Sequence, residues 1–253
     1  MPKSLRDTVI YTFALLIILC CAFNVHAKEY EQKAKEENIF ALQDPYIMPY
    51  PKSLKPQVDF WINVFTKYNS SEIIIHDNKY LNIVYAVINV PDIAAITDDE
   101  IKSRKDKEIE NIKTMLLSLN NKTVNGKTEL TKEETTVSLM FDKIAGKDKY
   151  LEAIKRLRTQ IGVKDRFKEA LSRSTLYIKD MERVFQQQGI PLELTRLAFL
   201  ESLFDVNAQS PAGAVGLWQF MKSTGRKYLT INEAIDERKD PIKSSKAAAK
   251  LLL

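Results

Sequence analysis

The sequence predicts a mainly α protein. Apolar residues recur at helical spacing along most of the 253-residue chain, and glycine, proline and N-capping residues separate these segments. SEIIIHD, at residues 71–77, is the one short β-type run, with an extended connector as the alternative. No internal repeat or sustained heptad is visible, so the fold class is nearly all-α.

The N-terminus has the pattern of a secretory signal peptide. Lys3 and Arg6 precede an apolar run over residues 9–23, and Val25-His26-Ala27 offers a cleavage site after Ala27. This run is about 15 residues long, which is short for a membrane span. We predict that residues 1–27 are a signal peptide; an uncleaved membrane anchor is the alternative.

Composition excludes several kinds of chemistry downstream of that signal. Both cysteines lie inside it, and His76 is the one histidine that remains after cleavage. A disulfide, a thiol nucleophile and a histidine cluster for zinc are therefore excluded, and we expect no metal or cofactor. The formal charge of +5 is a mild excess that predicts no nucleic-acid partner. The seven glycines form no phosphate-binding loop.

Residues 28–58 are charged and then proline-studded, which predicts a linker. A helical N-terminal region follows over residues 59–166. Its helices are predicted at 58–68, 81–88, 102–119, 131–144 and 148–160. Asp77 stands just before the second of these and is predicted to be its N-cap, with acid–base work by the His76-Asp77 pair as the alternative.

The helix expected after Gly189 and Pro191 contains the first candidate site residue, Glu201. This carboxylate continues the apolar stripe of Leu194, Leu197 and Ala198 at i, i+3, i+4 and i+7. The other faces are also apolar, with Phe199, Leu200, Leu203 and Phe204. We therefore expect a helix buried all round, in which desolvation raises the pKa of Glu201 and lets it donate a proton. A structural glutamate satisfied by an arginine or by backbone N–H groups is the alternative.

The segment NAQSPAGAVGLWQFMKSTGRKY follows. Its small residues allow backbones to approach closely, and it then presents Trp218, Gln219 and Met221. A neutral amide suits sugar hydroxyls, and an aromatic ring suits a sugar face. A tight turn between helices with a core tryptophan is the alternative.

Together these motifs resemble a known family. Glu201-Ser202, SPAGAVGLWQFM at 210–221, DERKDP at 236–241 and the alanines at 247–249 resemble the catalytic domain of SLT-type lytic murein transglycosylases. This is glycoside hydrolase family 23, and the membrane-bound lytic transglycosylase D branch matches best. The resemblance covers residues 167–253.

The resemblance implies a lysozyme-like all-α domain that cleaves the MurNAc–GlcNAc bond of peptidoglycan. It implies that Glu201 is the sole acid/base, which protonates the glycosidic oxygen and then closes a 1,6-anhydro ring. Ser202 matches the serine beside the acid, which is expected to contact sugar or to orient the site. Gln219 and Met221 match positions that line the saccharide groove. Trp218 occupies a position that is often methionine in relatives, and it is expected to bind substrate with the other three.

Two acidic features are expected to be structural. Asp205 is expected to be a helix-end cap. The 236–240 cluster is expected to form ion pairs, with Asp240-Pro241 as the cap and first turn of the last helix.

The family domain continues with a helical stretch that carries an Ala-Tyr-Asn motif, and nothing after AAAKLLL matches it. We therefore expect a C-terminally incomplete SLT domain. A non-catalytic wall-binding or scaffold protein and a lysozyme-type hydrolase are the competing predictions. The expected partners are peptidoglycan glycan strands, in the periplasm or cell envelope. Membrane association through the N-terminal segment is expected if that segment stays uncleaved.

Overall fold

The computed structural model describes residues 52–90, 96–126 and 129–253. They form two compact units, Lys55–Val163 and Lys164–Leu253, the second grouped with residues 52–54. The predicted signal peptide lies outside the described residues, as does the linker up to residue 51; residues 52–58 of that linker are helical. Among the described residues, no helix combines the length and apolar character needed to cross a membrane.

The first unit combines helices with a small sheet. Its elements are, in order, α1 (Lys55–Thr66), β1 (Glu72–Asp77), β2 (Val84–Asn89), α2 (Asp98–Val124), α3 (Lys132–Met140), α4 (Lys149–Arg156) and β3 (Leu157–Ile161). The helices predicted at 58–68, 102–119 and 131–144 are confirmed as α1, α2 and α3. Thr97 and Thr131 begin α2 and α3 with capping boxes, each completed by a glutamate three residues on.

The sheet is antiparallel in the order β2-β1-β3, so β1 is the central strand. Successive side chains of a strand point to opposite faces. Ile75 packs in a cluster with Leu116 of α2 and Phe141, while Ile74 packs in another with Phe60 of α1. Both faces of β1 are covered, which explains its unbroken isoleucine run and confirms the β-type prediction.

One helix prediction in this unit is wrong and another is right only in part. Residues 84–88 of the segment 81–88 belong to β2, because their Val, Ile and Tyr side chains suit a pleated strand that pairs with β1. The helix predicted at 148–160 is present as α4 but ends at Arg156, and the chain continues as β3 on the other edge of β1. The N-terminal region is therefore mixed α and β, while the described part of the chain is mainly α, as predicted.

Asp77 is not a helix N-cap, because a strand and not a helix follows it. It is fully buried at the end of β1, where it accepts hydrogen bonds from the Lys79 and Tyr80 amides at 2.8 and 3.0 Å. Arg156 of α4 pairs with the same carboxylate at 2.9 Å. The neighbouring His76 packs against Phe60, and its burial lowers its pKa. These contacts favour a structural role for the pair.

Glu134 joins α2 to α3 through a buried carboxylate. It accepts hydrogen bonds from Lys122 and Ser118, both at 2.6 Å, and from the Thr131 amide at 2.8 Å. These bonds lower its pKa from 4.5 to about 2, and the opposing influence of burial is smaller. A carboxyl whose pKa is lowered by folding stabilises the folded state at pH values above its ordinary pKa. This stabilisation is lost as the pH falls through the pKa of the folded state.

We therefore expect Glu134→Gln to lower the free energy of unfolding at neutral pH by about 2 kcal/mol. Thermal melts from neutral to acid pH check this. The difference from the parent should shrink as the pH falls from about 4.5 towards about 2. Glu133→Gln, on the exposed side of the same helix, is the control and should match the parent throughout. A pH-independent difference for Glu134→Gln would contradict the charge-based account.

The second unit is helical. It contains α5 (Lys164–Ser174), α6 (Ile178–Gln187), a 3-10 helix (Leu192–Arg196), α7 (Leu197–Ser202), α8 (Lys222–Gly225), a second 3-10 helix (Glu237–Lys239) and α9 (Pro241–Leu252). α6 packs along α9. The largest fully buried side chains of the unit are Phe167, Phe185, Phe199 and Phe204. This aromatic core holds the short helix that carries Glu201.

Candidate active site

The Glu201 helix is shorter than the sequence predicts. Gly189 adopts φ +69° at the end of α6, as expected of a helix-ending glycine. After Pro191 the chain first forms the 3-10 helix and only then α7. The buried Arg196 at this junction forms an ion pair with Glu182 of α6. Glu201 therefore lies on a short helix that is anchored to the preceding one.

The prediction that this helix is buried all round is wrong. Ala198 and Phe199 are buried, Leu197 and Leu200 are half-buried, and Glu201 itself is exposed. A helix of six residues has room for one inward face, and Ala198 and Phe199 fill it. The carboxyl is therefore accessible from solvent, which a group that acts on a polymer requires.

The pKa of Glu201 is nevertheless raised, as predicted, because the surrounding protein displaces part of its water. Glu201 is thus exposed as a residue while its carboxyl is partly desolvated by the protein around it. Within the described part of the chain, no hydrogen bond or ion pair reaches this carboxyl. The arginine or backbone N–H partner of a structural glutamate is thus not found there.

Ser202 links α7 to the segment that follows it. Its hydroxyl donates to the Leu217 carbonyl at 3.0 Å and lies 3.3 Å from the Ala198 carbonyl, and it accepts from the Asp205 amide at 3.3 Å. This network places Leu217, and with it the next residues of the chain, beside the helix that bears Glu201. Ser202 therefore links α7 to the loop that carries Gln219.

Gln219 and Met221 lie on the segment that Ser202 holds. The Gln219 side-chain nitrogen donates to the carbonyls of Gly216 at 2.9 Å and Ala208 at 3.2 Å, and its backbone is left-handed with φ +46°. Those bonds fix the amide while its Oε1 has no hydrogen-bond partner in the described chain. Met221 is 42% exposed at the start of α8. Both positions remain candidates for contact with a ligand.

Trp218 lies in the core. Its ring stacks on Phe185 with centroids 5.5 Å apart, and its Nε1 donates to the Ser245 hydroxyl of α9 at 2.9 Å. Its face and its N–H group are both engaged, and 9% of the residue is exposed. These are the contacts of a core tryptophan, the alternative that the sequence left open. Trp218 therefore packs in the core and supports the loop that carries Gln219.

The remaining acidic residues have structural contacts. Asp205 accepts a hydrogen bond from the Asn207 amide at 2.8 Å, so its carboxylate closes its own turn. Asp240 caps α9 through the amides of Ile242 and Lys243, and Pro241 opens the first turn, which confirms the prediction. Asp236 pairs with Arg238 through two hydrogen bonds of 2.9 and 2.7 Å, and its pKa is lowered by them.

Arg238 organises the segment between Glu201 and α8. Beyond its pair with Asp236, its buried guanidinium donates to the carbonyls of Gly213 and Phe220, both at 3.1 Å. It thereby ties together two ends of the loop that carries Gln219. Sequence reasoning treated Arg238 as one member of a charged cluster and did not find this role, because the carbonyls it binds are 18 and 25 residues away.

A shallow cleft in the first unit is not a comparable site. It has a volume of about 390 Å³ and is lined by residues that include Ser118, Thr131 and Glu134. Those groups hydrogen-bond one another across the α2–α3 junction. Among the described residues, moreover, no group of three or more His, Cys, Asp or Glu side chains is placed to hold a metal ion.

Comparison with known proteins agrees with the motifs. Residues 183–253 match the family described as Transglycosylase SLT domain. The match begins within α6 and contains α7, the Gln219 loop and α9. The matched residues therefore include all five predicted site residues, Glu201, Ser202, Trp218, Gln219 and Met221.

Two curated proteins are similar to this part of the chain. They are named Membrane-bound lytic murein transglycosylase D, from Escherichia coli (strain K12) and from Escherichia coli O6:H1. Each is 40% identical over 68 residues, which are 26% of this chain and 15% of the relative. The chain thus matches a small part of each relative's length. No solved structure matches the chain significantly.

Proposed function

We propose that this protein is a peptidoglycan lytic transglycosylase with Glu201 as its sole acid/base. One observation carries the proposal: Glu201 is an accessible carboxyl with a raised pKa and no partner in the described chain. A carboxyl of this kind retains a proton nearer to neutral pH and can give it to a leaving group. The SLT domain match and the name of its curated relatives supply the substrate class.

In the proposed reaction, protonated Glu201 gives its proton to the oxygen of the MurNAc–GlcNAc bond as that bond breaks. The resulting carboxylate then takes the proton of the C6 hydroxyl of the same MurNAc. The C6 oxygen bonds to C1, so the product ends in a 1,6-anhydro ring and water is not consumed. Glu201 is protonated again at the end of the cycle, which makes one carboxyl sufficient.

Among the described residues, the carboxylate nearest in sequence to Glu201 already has a hydrogen-bond partner, which favours this route over hydrolysis. Glycosidases that admit water ordinarily use a pair of carboxyl groups that flank the bond. The carboxylate nearest in sequence, Asp205, is occupied by the Asn207 amide. Ring closure by the substrate's own hydroxyl removes the need for a residue that activates water. Because peptidoglycan lies in the cell envelope, we also propose that the protein is exported there and that residues 1–27 direct this export.

Mass spectrometry of the products tests the proposal. We expect the purified protein to release muropeptides from peptidoglycan that are lighter by one water than hydrolytic products. Products with ordinary reducing ends would instead identify a lysozyme-type hydrolase. Sedimentation with intact sacculi without any cleavage would identify a non-catalytic wall-binding protein. Either result would contradict the transglycosylase proposal.

A further inference from the structure

The backbone directly after Glu201-Ser202 is strained. Leu203 has φ +52° and ψ +40°, and Phe204 has φ +58°, so two consecutive residues with β-carbons are left-handed. Each such residue costs about 1–2 kcal/mol relative to a right-handed one. Neighbouring contacts must hold the turn in place, since a relaxed turn would let the last residues of α7 unwind. Glu201 is one of those residues.

Backbone hydrogen bonds and a buried ring hold one side of the turn. The Leu203 and Phe204 amides donate back into α7, to the Phe199 carbonyl at 3.1 Å and the Ala198 carbonyl at 3.2 Å. The Phe204 ring is fully buried against Phe199, with centroids 4.4 Å apart. These contacts fix Phe204, but they leave the carbonyl of Leu203 to be satisfied from elsewhere.

Arg173 of α5 satisfies that carbonyl. Its Nη2 donates to the Leu203 oxygen at 2.9 Å, from 30 residues earlier in the chain. A charged donor makes a stronger bond than a neutral one. The other charged contact of Arg173 is a longer, exposed one, 3.6 Å from Glu169, and pairs of that kind add little. The bond to Leu203 is therefore the directed interaction of this side chain.

We propose that Arg173 is a positioning residue for Glu201: by holding the left-handed Leu203–Phe204 turn, it fixes the end of α7 from which the carboxyl projects. This proposal rests on the proposed function, because it takes Glu201 to be the catalytic acid. Arg173 does not itself contact the Glu201 carboxyl. Its side chain is 39% exposed, and its Nε is buried without a hydrogen-bond partner in the described chain. Truncation therefore removes the bond to the turn together with part of a half-buried side chain, and the tests below separate these two effects.

The kinetic test uses the parent protein and variants of Arg173 on soluble glycan strands. We expect Arg173→Ala to lower kcat roughly 10- to 100-fold, because small displacements of a catalytic group are costly. KM should change by less than about twofold, since the groove residues stay in place. Arg173→Lys should be intermediate, because lysine keeps one charged donor. Glu169→Gln, which removes the exposed ion pair alone, is the matched control and should behave as the parent.

A second substitution, at Leu203, distinguishes a positioning role of Arg173 from a general effect on stability. Asparagine adopts the left-handed conformation more readily than leucine or alanine. We expect Leu203→Asn to restore much of the kcat of Arg173→Ala, whereas Leu203→Ala in the same background should not. An Arg173→Ala protein with unchanged kcat would overturn the proposal, as would equal effects of the two Leu203 substitutions.

Amide hydrogen exchange decides the same point without using activity. In Arg173→Ala, the Leu203 and Phe204 amides should lose protection while those of α6 and α9 keep theirs, and Leu203→Asn should restore it. Unchanged protection at these two amides would overturn the proposal even if the enzyme is active. An inactive parent whose exchange follows this pattern would instead overturn the proposed function and leave the role of Arg173 in the turn supported.

Discussion

Replacing Glu201 by glutamine is expected to lower kcat to below about one per cent of the parent value, with anhydro products lost in proportion. The amide has nearly the same shape as the carboxyl but can neither donate the proton to the leaving oxygen nor accept one from the C6 hydroxyl. Binding to glycan strands should persist, because the Gln219 loop and Met221 are unchanged. The measurement is product quantification by mass spectrometry beside a sedimentation assay with sacculi.

The matched control is Glu193→Gln, the same chemical change at the preceding 3-10 helix. It should leave both activity and binding at the parent level. If Glu201→Gln retained more than about one per cent of the parent kcat, another group would have to supply the proton and the assignment would be wrong.

The stability of Glu201→Gln provides an independent check on the site. The pKa of Glu201 is raised in the folded state, so ionising it costs more there than in the unfolded chain. Below the ordinary pKa the carboxyl is protonated in both states and the cost is absent. As the pH rises through the folded pKa the cost appears in full. Glu201→Gln should therefore melt above the parent at neutral pH, and at the same temperature in acid.

The sequence predicted the second unit better than the first, for a physical reason. The Asp240-Pro241 cap of α9 and the start of a new helix after Gly189 and Pro191 depend on residues a few positions apart. β2 and β3 instead exist because each pairs with β1, and the paired residues of β1 and β3 are 80 to 88 positions apart. In the 81–88 segment, apolar residues matched a helical spacing by chance, although its β-branched content favoured a strand.

The same distinction applies within the candidate site. The raised pKa of Glu201 could be anticipated from its apolar neighbours, but its exposure could not, because the 3-10 turn shortens the helix and changes which face is covered. Trp218 stacks on Phe185, and Arg173 binds the Leu203 carbonyl, across 33 and 30 residues respectively. No local pattern marks contacts of that range. Ser202, by contrast, was expected beside the acid from the motif that surrounds it.

Replacing Gly216 by alanine is expected to lower the free energy of unfolding of the second unit by about 3 kcal/mol or more. An added β-carbon would lie 1.9 Å from the Arg238 carbonyl oxygen and 2.9 Å from its carbon, both backbone atoms that cannot rotate aside. The residue also has φ +83°, which disfavours any side chain. Because the Gly216 carbonyl accepts from both nitrogens of Gln219, at 3.1 and 2.9 Å, the clash should displace the loop as well.

Gly213→Ala separates the two causes of that loss. Gly213 has a similar φ of +87°, but an added β-carbon there meets nothing within 4 Å. It should therefore cost about 1 kcal/mol, which is the conformational part alone. Urea unfolding followed by Trp218 fluorescence measures both variants. A Trp61→Phe background removes the signal of the other tryptophan, so the transition reports on the second unit. If Gly216→Ala were no worse than Gly213→Ala, the close approach of Arg238 would not constrain this loop, and the left-handed backbone alone would explain the glycine.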